Sequence, residues 1–323
     1  MSRILYGLDP QEYEHPLDRE ALNALQKISG IQAIFQKFEG STLEKALILQ
    51  HKGEKLKVNE KNFKKLYQLF LKGCEILDFD EPPDLYTSWE YQLNACAFGV
   101  EKPSIFISSG CIDILDDSAL SFIIGHELAH IKSGHMFYYM LAQRFLPFIL
   151  ANIPIPNIPI LGGVLVETIK YPLYNWKRMT ELTCDRGGLL CCQNNESAFK
   201  ALIALAGVPL KYQDEDFVNS FIEQSRIFIE DDFEPTDKII KKLSQTYSFD
   251  HFFKYGQTVP RSHPLPMLRI GKLNEWIESG KYDEVKNRER EKITIIYCSK
   301  CNEIIDTGDK FCGFCGAKNI SSD

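Results

Sequence analysis

Apolar residues recur every three or four positions along much of the chain, a spacing that places them on one face of a helix. The pattern predicts helices from Pro16 to about Phe38, from Asn59 to Leu77, from Asp116 or Asp117 through His130, from about Tyr174 to Gln193, and from Leu265 to Glu278. A carboxylate at an N-cap accepts a backbone N–H. Asp18 is therefore expected to cap the first helix, and Asp116 or Asp117 the third.

Between Leu85 and Ser109 the pattern changes to short runs typical of β-strands. The runs are Leu85–Thr87, Asn94–Phe98 and Ser104–Ser108, with Gly99 and Pro103 at the turn. They predict a small antiparallel sheet beside the helices. The fold class is therefore expected to be α+β and mainly helical.

Changes in composition divide the chain into four parts. Pro82 and Pro83 follow the second helix, and charged residues are dense from Lys281 to Lys292. We expect an N-terminal helical subdomain at 1–80, a main domain at 81–280, a charged linker at 281–296 and a separate cysteine-containing unit at 297–323.

The stretch from Phe145 to Val166 contains no charged residue. It is about as long as a membrane-spanning helix, which needs roughly 20 apolar residues. Four prolines, at 147, 154, 156 and 159, would interrupt such a helix. We therefore expect an apolar hairpin or surface loop at 145–166, with peripheral membrane contact as the alternative.

Composition adds little about partners but bears on location. The formal net charge of -7 gives no reason to expect a nucleic-acid partner. Residues Met1 to Asp18 lack a basic segment followed by an apolar run, so no signal peptide is predicted. The expected location is the cytoplasm, with membrane association through 145–166 as the alternative.

The chemistry concentrates in the third predicted helix. His126 and His130 are four residues apart, so both imidazoles can reach one metal ion, and Glu127 between them can act on a water molecule. A hydrolytic zinc site usually takes three protein ligands. Glu181, on the next long helix, can be the third, and Asp185, one turn further, can hydrogen-bond the free ring nitrogen of a liganding histidine.

These motifs occur in a recognisable order. They are His126-Glu127-Leu128-Ala129-His130, Ser133-Gly134-His135, Glu181 with Asp185, and His263-Pro264 followed by Arg269. Together they resemble the zinc metallopeptidases of the HtpX and CAAX prenyl protease type, from about Leu85 to Ile277. The resemblance implies a zincin-like, mainly helical metallopeptidase core of the HExxH gluzincin type.

The resemblance also implies a way of binding substrate. In that family, a protein or peptide substrate adds as an extended strand to the edge-strand region that Asn94–Phe98 and Ser104–Ser109 resemble. The resemblance also places His263 near the metal, where His263 could stabilise the oxyanion or, in a resting state, close the site as a fourth zinc ligand. Arg269 is expected to pair with Asp185 or to form an ordinary ion pair. His135 arrives too early for a three-histidine site and is expected to be supporting or structural.

Four cysteines near the C-terminus form a second motif. Cys298, Cys301, Cys312 and Cys315 make two CxxC units, and four thiolates give a closed tetrahedral zinc site. We expect a zinc ribbon whose metal is structural and which can bind a protein partner. With the helical site, the sequence predicts one catalytic and one structural Zn²⁺.

The resulting hypothesis is a zinc-dependent endopeptidase that hydrolyses peptide bonds with a zinc-activated water and Glu127 as general base. One alternative enzyme is a deformylase-type hydrolase, in which an upstream cysteine such as Cys111 is the third ligand. Another alternative is a catalytically inactive metal-binding adaptor that acts through its zinc ribbon. An intact Glu127 favours the enzyme, because a scaffold has no need of a base.

Overall fold

The computed structural model describes residues 2–27, 45, 49, 52–100, 102–140, 161–231, 266–289, 296–297, 300–301, 304–305, 311 and 313–318. Its helices are α1 (Pro10–Tyr13), α2 (Pro16–Gln26), α3 (Lys64–Ile76), α4 (Ser109–Ile114), α5 (Asp117–Lys132), α6 (Met136–Met140), α7 (Leu161–Cys192), α8 (Asn195–Leu205), α9 (Glu215–Asp231), α10 (Pro266–Glu278) and α11 (Lys281–Asn287). Its strands are β1 (Leu56–Lys57), β2 (Asp84–Ser88), β3 (Ala95–Phe98), β4 (Ser104–Ser108), β5 (Ile296–Tyr297) and β6 (Ile304–Ile305). The predicted α+β class is confirmed.

The main sheet is mixed rather than purely antiparallel. Its strand order is β1-β2-β4-β3, and β4 pairs antiparallel with β3 but parallel with β2, with Leu85 opposite Ile105. The prediction of antiparallel pairing assumed that consecutive strands are neighbours. Here β4 lies between β2 and β3, which leaves β3 at one edge of the sheet.

Several helix boundaries differ from the sequence prediction. Helix α3 begins at Lys64 rather than Asn59, because the side chains of Asn59 and Asn62 hydrogen-bond backbone groups in a turn before it. Helix α7 begins at Leu161 rather than near Tyr174, so the last residues of the predicted apolar hairpin are helical. Helix α11 occupies the start of the predicted linker, and its Tyr282 and Val285 are buried.

The observed N-cap residue agrees with the prediction at one helix and differs from it at another. Asp116 caps α5, because its side chain accepts the backbone N–H groups of Ser118 and Ala119. At α2 the cap is His15, whose Nδ1 accepts the N–H of Leu17 at 3.1 Å, and not Asp18. The prediction of Asp18 as the cap was therefore wrong.

Helices α5 and α7 approach each other closely at three glycines. A Cβ atom added to Gly125 would lie 2.2 Å from Cβ of Cys191, and one added to Gly187 would lie 2.3 Å from Cβ of Ala129. A Cβ atom on Gly188 would lie 2.8 Å from the carbonyl oxygen of Phe122. Side chains larger than hydrogen at these positions would push the helices apart.

The N-terminal segment packs on the same helices. Leu5, Leu8 and Tyr13 are buried in the apolar cluster that contains α5. Leu25 of α2 is buried in a second cluster with Trp176 of α7.

Within the part of the chain that the structure describes, there is no helix with the length and apolar character needed to cross a membrane.

The cap of α2 predicts a pH dependence of stability. Burial, with repulsion from Arg186 and Lys272, lowers the pKa of His15 from 6.5 to about 3. As the pH falls below 6.5, the unfolded chain takes up a proton at His15 that the native protein does not, so the free energy of unfolding should decrease. The expected contribution is about 1.4 kcal/mol for each pH unit below that value.

The variant His15→Asn, which keeps a capping side chain without a titrating ring, should lack this contribution. The measurement is urea unfolding of both proteins at several values between about pH 7 and about pH 5. We expect the wild type to lose stability relative to the variant as the pH decreases. A constant difference between the two proteins would contradict the assignment.

Candidate metal centre and active site

Two helices bring five of the predicted site residues together. Helix α5 carries His126, Glu127 and His130, and helix α7 carries Glu181 and Asp185. The glycine contacts between the helices are adjacent to these residues in sequence, since Gly125 directly precedes His126. All five side chains are buried. The close approach of the two backbones therefore places the carboxylates of α7 beside the imidazoles of α5.

His126, His130 and Glu181 form a group that fits a metal ion. Their ligand atoms lie within 4.8 Å of one another. His126 Nε2 is 3.5 Å from Glu181 Oε2, and His130 Nε2 is 3.6 Å from Glu181 Oε1. Tetrahedral zinc with bonds of about 2.0–2.2 Å places its ligand atoms about 3.3–3.6 Å apart. The nitrogen and oxygen spacings therefore fit Zn²⁺ closely.

Asp185 and Arg269 support His126 from the opposite side of its ring. His126 Nδ1–H donates to Asp185 Oδ1 at 3.0 Å, which directs Nε2 toward Glu181. Arg269 of α10 donates to both oxygens of Asp185, at 2.8 and 2.6 Å, and its Nη1 lies 3.3 Å from Glu181 Oε2. Arg269 is buried, so this ion pair is part of the site and not of the surface.

The electrostatic balance of the site follows from these contacts. Burial disfavours ionised Asp185, but attraction to Arg269 and hydrogen bonds from Arg269 and His126 outweigh it and lower its pKa. Burial also disfavours protonated His126, yet hydrogen bonds to Asp185 and Glu181 raise its pKa to about 9. At His130 burial dominates and lowers the pKa to about 3.

Glu181 has two further neighbours that the sequence analysis missed. The hydroxyl of Tyr139, on α6, donates to Glu181 Oε1 at 3.1 Å. The ammonium of Lys177, one turn before Glu181 on α7, lies 4.4 Å from the centre of the Tyr139 ring. Burial lowers the pKa of Lys177, although attraction to Glu181 opposes this. The position of Lys177, four residues before Glu181, was a signal in the sequence, whereas nothing marked Tyr139.

The edge strand β3 packs against α5, the helix that carries Glu127. Cys96 of β3 and Cys111 of α4 are both close enough to the Glu127 carboxylate for its charge to help raise their pKa values, after burial as the main cause. Cys111 Sγ donates to the carbonyl oxygen of Asn94 at 3.4 Å. Among the residues that the structure describes, no metal-binding group contains Cys111.

A second group of potential ligands shares His130. His130 Nδ1 lies 3.2 Å from His135 Nδ1, and Cys184 Sγ lies 3.5 Å from the same nitrogen of His135. All three side chains are buried. His135, for which the sequence indicated only a supporting or structural role, thus contacts a histidine of the metal-binding group.

Part of the predicted site falls outside the described ranges. His263 belongs to this part, so its predicted position near the metal stays a prediction. Of the four ribbon cysteines, Cys298 and Cys312 are also outside. Cys301 and Cys315 are described and pack with Ala317, and β5 pairs antiparallel with β6 in the same C-terminal part of the chain. The zinc ribbon therefore stays a prediction as well.

Comparison with known proteins gives a family match. The model of peptidase family M48 matches residues 60–277 of this chain. The chain is also 28% identical over 294 residues to the plastoglobule-localized metallopeptidase 48, chloroplastic, of Arabidopsis thaliana. That alignment covers 90% of this chain and 80% of the relative. No solved structure matches the chain.

The buried ion pair predicts a large effect on stability. Replacing Arg269 by Met removes the guanidinium that contacts both buried carboxylates, Asp185 and Glu181, which should lower the free energy of unfolding by about 3–5 kcal/mol. Arg269→Lys should cost less, because it keeps the charge but not the bidentate geometry. Urea unfolding of the metal-free proteins measures the effect.

Arg226→Met is the matched control. Arg226 forms ion pairs with Glu223 and Glu278, but these lie at the surface. Its loss should cost about 0–1 kcal/mol. Equal effects of the two methionine substitutions would contradict a special role for the buried pair.

Proposed function

This chain belongs to peptidase family M48, a family of zinc metallopeptidases, and we propose that it is a zinc-dependent endopeptidase with Glu127 as general base. The observation that carries the proposal is the fit of His126, His130 and Glu181 to one metal ion directly beside Glu127. The order of the motifs supports the HtpX and CAAX prenyl protease type within the family. HExxH with a glutamate ligand supports the gluzincin type.

The proposed metal ligands are His126, His130 and Glu181. A zinc ion held by them would supply a Lewis acid that lowers the pKa of a water molecule and polarises the scissile carbonyl. Asp185 and Arg269 fix the orientation of His126, and Tyr139 holds one oxygen of Glu181. These contacts limit the movement of the ligands during turnover.

The chain's own residues then move the proton. The Glu127 carboxylate takes a proton from the attacking water and later delivers it to the leaving amine of the peptide. We propose that His263 stabilises the oxyanion that forms at the scissile carbonyl carbon. The low dielectric around buried Glu127 strengthens its interactions with the reacting groups.

We propose that the substrate is a protein or peptide bound as an extended strand along β3. Two observations support this: β3 is at the edge of the described sheet, and it packs against α5, the helix that carries Glu127. Backbone hydrogen bonds to an edge strand depend little on side chains. The proposed enzyme should therefore accept varied sequences.

The zinc content and activity of the full chain test the catalytic proposal. We expect two zinc ions per chain, one of them lost in Glu181→Ala and the other in a Cys298→Ser, Cys301→Ser double variant. Glu127→Gln should retain both ions, yet cleave an unfolded protein about 10²–10⁴-fold more slowly, because only the proton transfer is removed. The exposed Glu196→Gln is the matched control and should leave cleavage unchanged.

Two results would contradict this assignment. One is a single zinc ion that disappears when Cys298 and Cys301 are replaced, which would leave only the ribbon and favour the adaptor function. The other is full cleavage by Glu127→Gln. The ribbon itself is proposed to be structural and to bind a protein partner.

For location, we propose a cytoplasmic protein that can associate peripherally with a membrane through 145–166. The name of the Arabidopsis relative, which places that protein at plastoglobules, supports the association. Removing 145–166 should abolish flotation of the protein with lipid vesicles, because the apolar run supplies the contact. Unchanged flotation would contradict the membrane proposal and leave the catalytic one intact.

A further inference from the structure

The two histidines of the metal-binding group are supported in different ways. His126 donates directly to a carboxylate, that of Asp185. The corresponding nitrogen of His130, Nδ1, lies 3.2 Å from another imidazole nitrogen, Nδ1 of His135. The far nitrogen of His135, Nε2, lies 3.2 Å from Asp18 Oδ2. His130, His135 and Asp18 are all buried, so these contacts are shielded from water.

The direction of each hydrogen bond follows from its neighbours. Thr183 Oγ1 accepts the backbone N–H of His15 at 3.0 Å and donates its own hydrogen to Asp18 Oδ2 at 2.6 Å. An ionised carboxylate only accepts, so His135 Nε2–H must be the donor in its contact with Asp18. In a neutral imidazole the other nitrogen then carries a lone pair. His135 Nδ1 is therefore the acceptor toward His130.

The same reasoning assigns the tautomer of His130. Its Nδ1 must carry the hydrogen that His135 Nδ1 accepts, which leaves the lone pair on Nε2. Nε2 is the nitrogen 3.6 Å from Glu181 Oε1, on the side of the ring that faces the metal-binding group. The buried thiol of Cys184 lies 3.5 Å from His135 Nδ1 and can also donate to the lone pair of that nitrogen. The direction of the hydrogen bond from His130 to His135 stays the same.

We propose that Asp18 and His135 are positioning residues that hold His130, through a relay of hydrogen bonds, in the tautomer that presents Nε2 to a metal ion. Asp185 does the same for His126 in a single step. Metal-liganding histidines generally donate their second N–H to a carboxylate, carbonyl or water, and here an imidazole is inserted between ligand and carboxylate. The inference rests on the proposed metal site.

The relay also assigns a role to a residue outside the family match. Asp18 lies on α2, whereas the match begins at residue 60. Helix α2 is held on α7 by the apolar cluster of Leu25 and Trp176 and by the hydrogen bond from Thr183 to Asp18. The N-terminal segment therefore supplies one carboxylate to the support of the metal site.

The first test reads the tautomers directly in the metal-free full chain. Long-range ¹H–¹⁵N correlation spectra of protein labelled at histidine distinguish protonated from unprotonated ring nitrogens. We expect hydrogen on Nδ1 of His130 and on Nε2 of His135. A spectrum with hydrogen on Nε2 of His130, or on Nδ1 of His135, would overturn the relay.

The second test measures zinc affinity through the same histidine signals, which report this site and not the ribbon cysteines. Asp18→Asn, which keeps the side-chain volume, and His135→Phe, which keeps a ring without an acceptor, should each weaken zinc binding about 10–100-fold. Cys74→Ala is the matched control, because Cys74 is a buried thiol on α3, a helix that carries no residue of the relay. It should change the affinity less than about threefold, a limit well below the effect of a lost supporting residue.

The outcomes separate the relay from the proposed function. Wild-type affinity in Asp18→Asn and His135→Phe, together with a loss in Glu181→Ala, would overturn the relay and leave the metal site standing. Loss of a metal ion in Cys184→Ala would instead indicate a thiolate site made of His130, His135 and Cys184, and would also overturn the relay. Failure of the proposed function would appear as zinc binding that Glu181→Ala does not weaken.

Discussion

The close contact between helices α5 and α7 is the constraint on which the site depends. His126 and His130 come from one helix, but a third ligand has to cross from another, and an ordinary helix pair with axes about 8–10 Å apart leaves a wide gap. Gly125, Gly187 and Gly188 remove the side chains that would hold the helices apart. Gly125 directly precedes His126, and Gly187 and Gly188 follow Asp185 within one helical turn, so this close packing and the site occur at one place.

This packing encloses several charges, and the fold compensates for them with a third helix. Glu127, Glu181 and Asp185 are all buried, and a buried carboxylate is costly without a partner. Arg269 of α10 reaches both α7 carboxylates. Its planar group can satisfy Asp185 with two hydrogen bonds and still approach Glu181, which an ammonium could not do with the same geometry. Helix α10 is thereby fixed relative to the site by charge as well as by apolar packing.

The sequence was sufficient for the features that depend on local spacing. His126, Glu127 and His130 follow from helical periodicity, and the pairing of Arg269 with Asp185 was one of two outcomes expected for that arginine. The sequence could not give the parallel pairing of β2 and β4, because strand order depends on how the loops cross and not on alternation along one strand. It could not single out Tyr139, since a tyrosine in a short helix has no pattern that distinguishes it from a core residue.

Long-range contacts were the hardest to predict. Asp18 was expected to cap α2, as its position near the helix start suggested, but His15 takes that role and Asp18 turns to Thr183 and His135. Helix propensity and capping rules consider only a few neighbouring residues. A contact between positions 18 and 135 depends on how α2 docks on α7, which no local rule describes.

The N-terminal segment lies outside the family match, yet the core of the protein includes it. The family match starts at residue 60, but Leu5, Leu8 and Tyr13 belong to the same core as the helix with the histidines. An excised fragment with the limits of the match would expose the apolar face around Trp176 that Leu25 covers. The family model therefore marks where the chemistry is encoded, while the smallest fragment able to fold includes residues that lie outside that model.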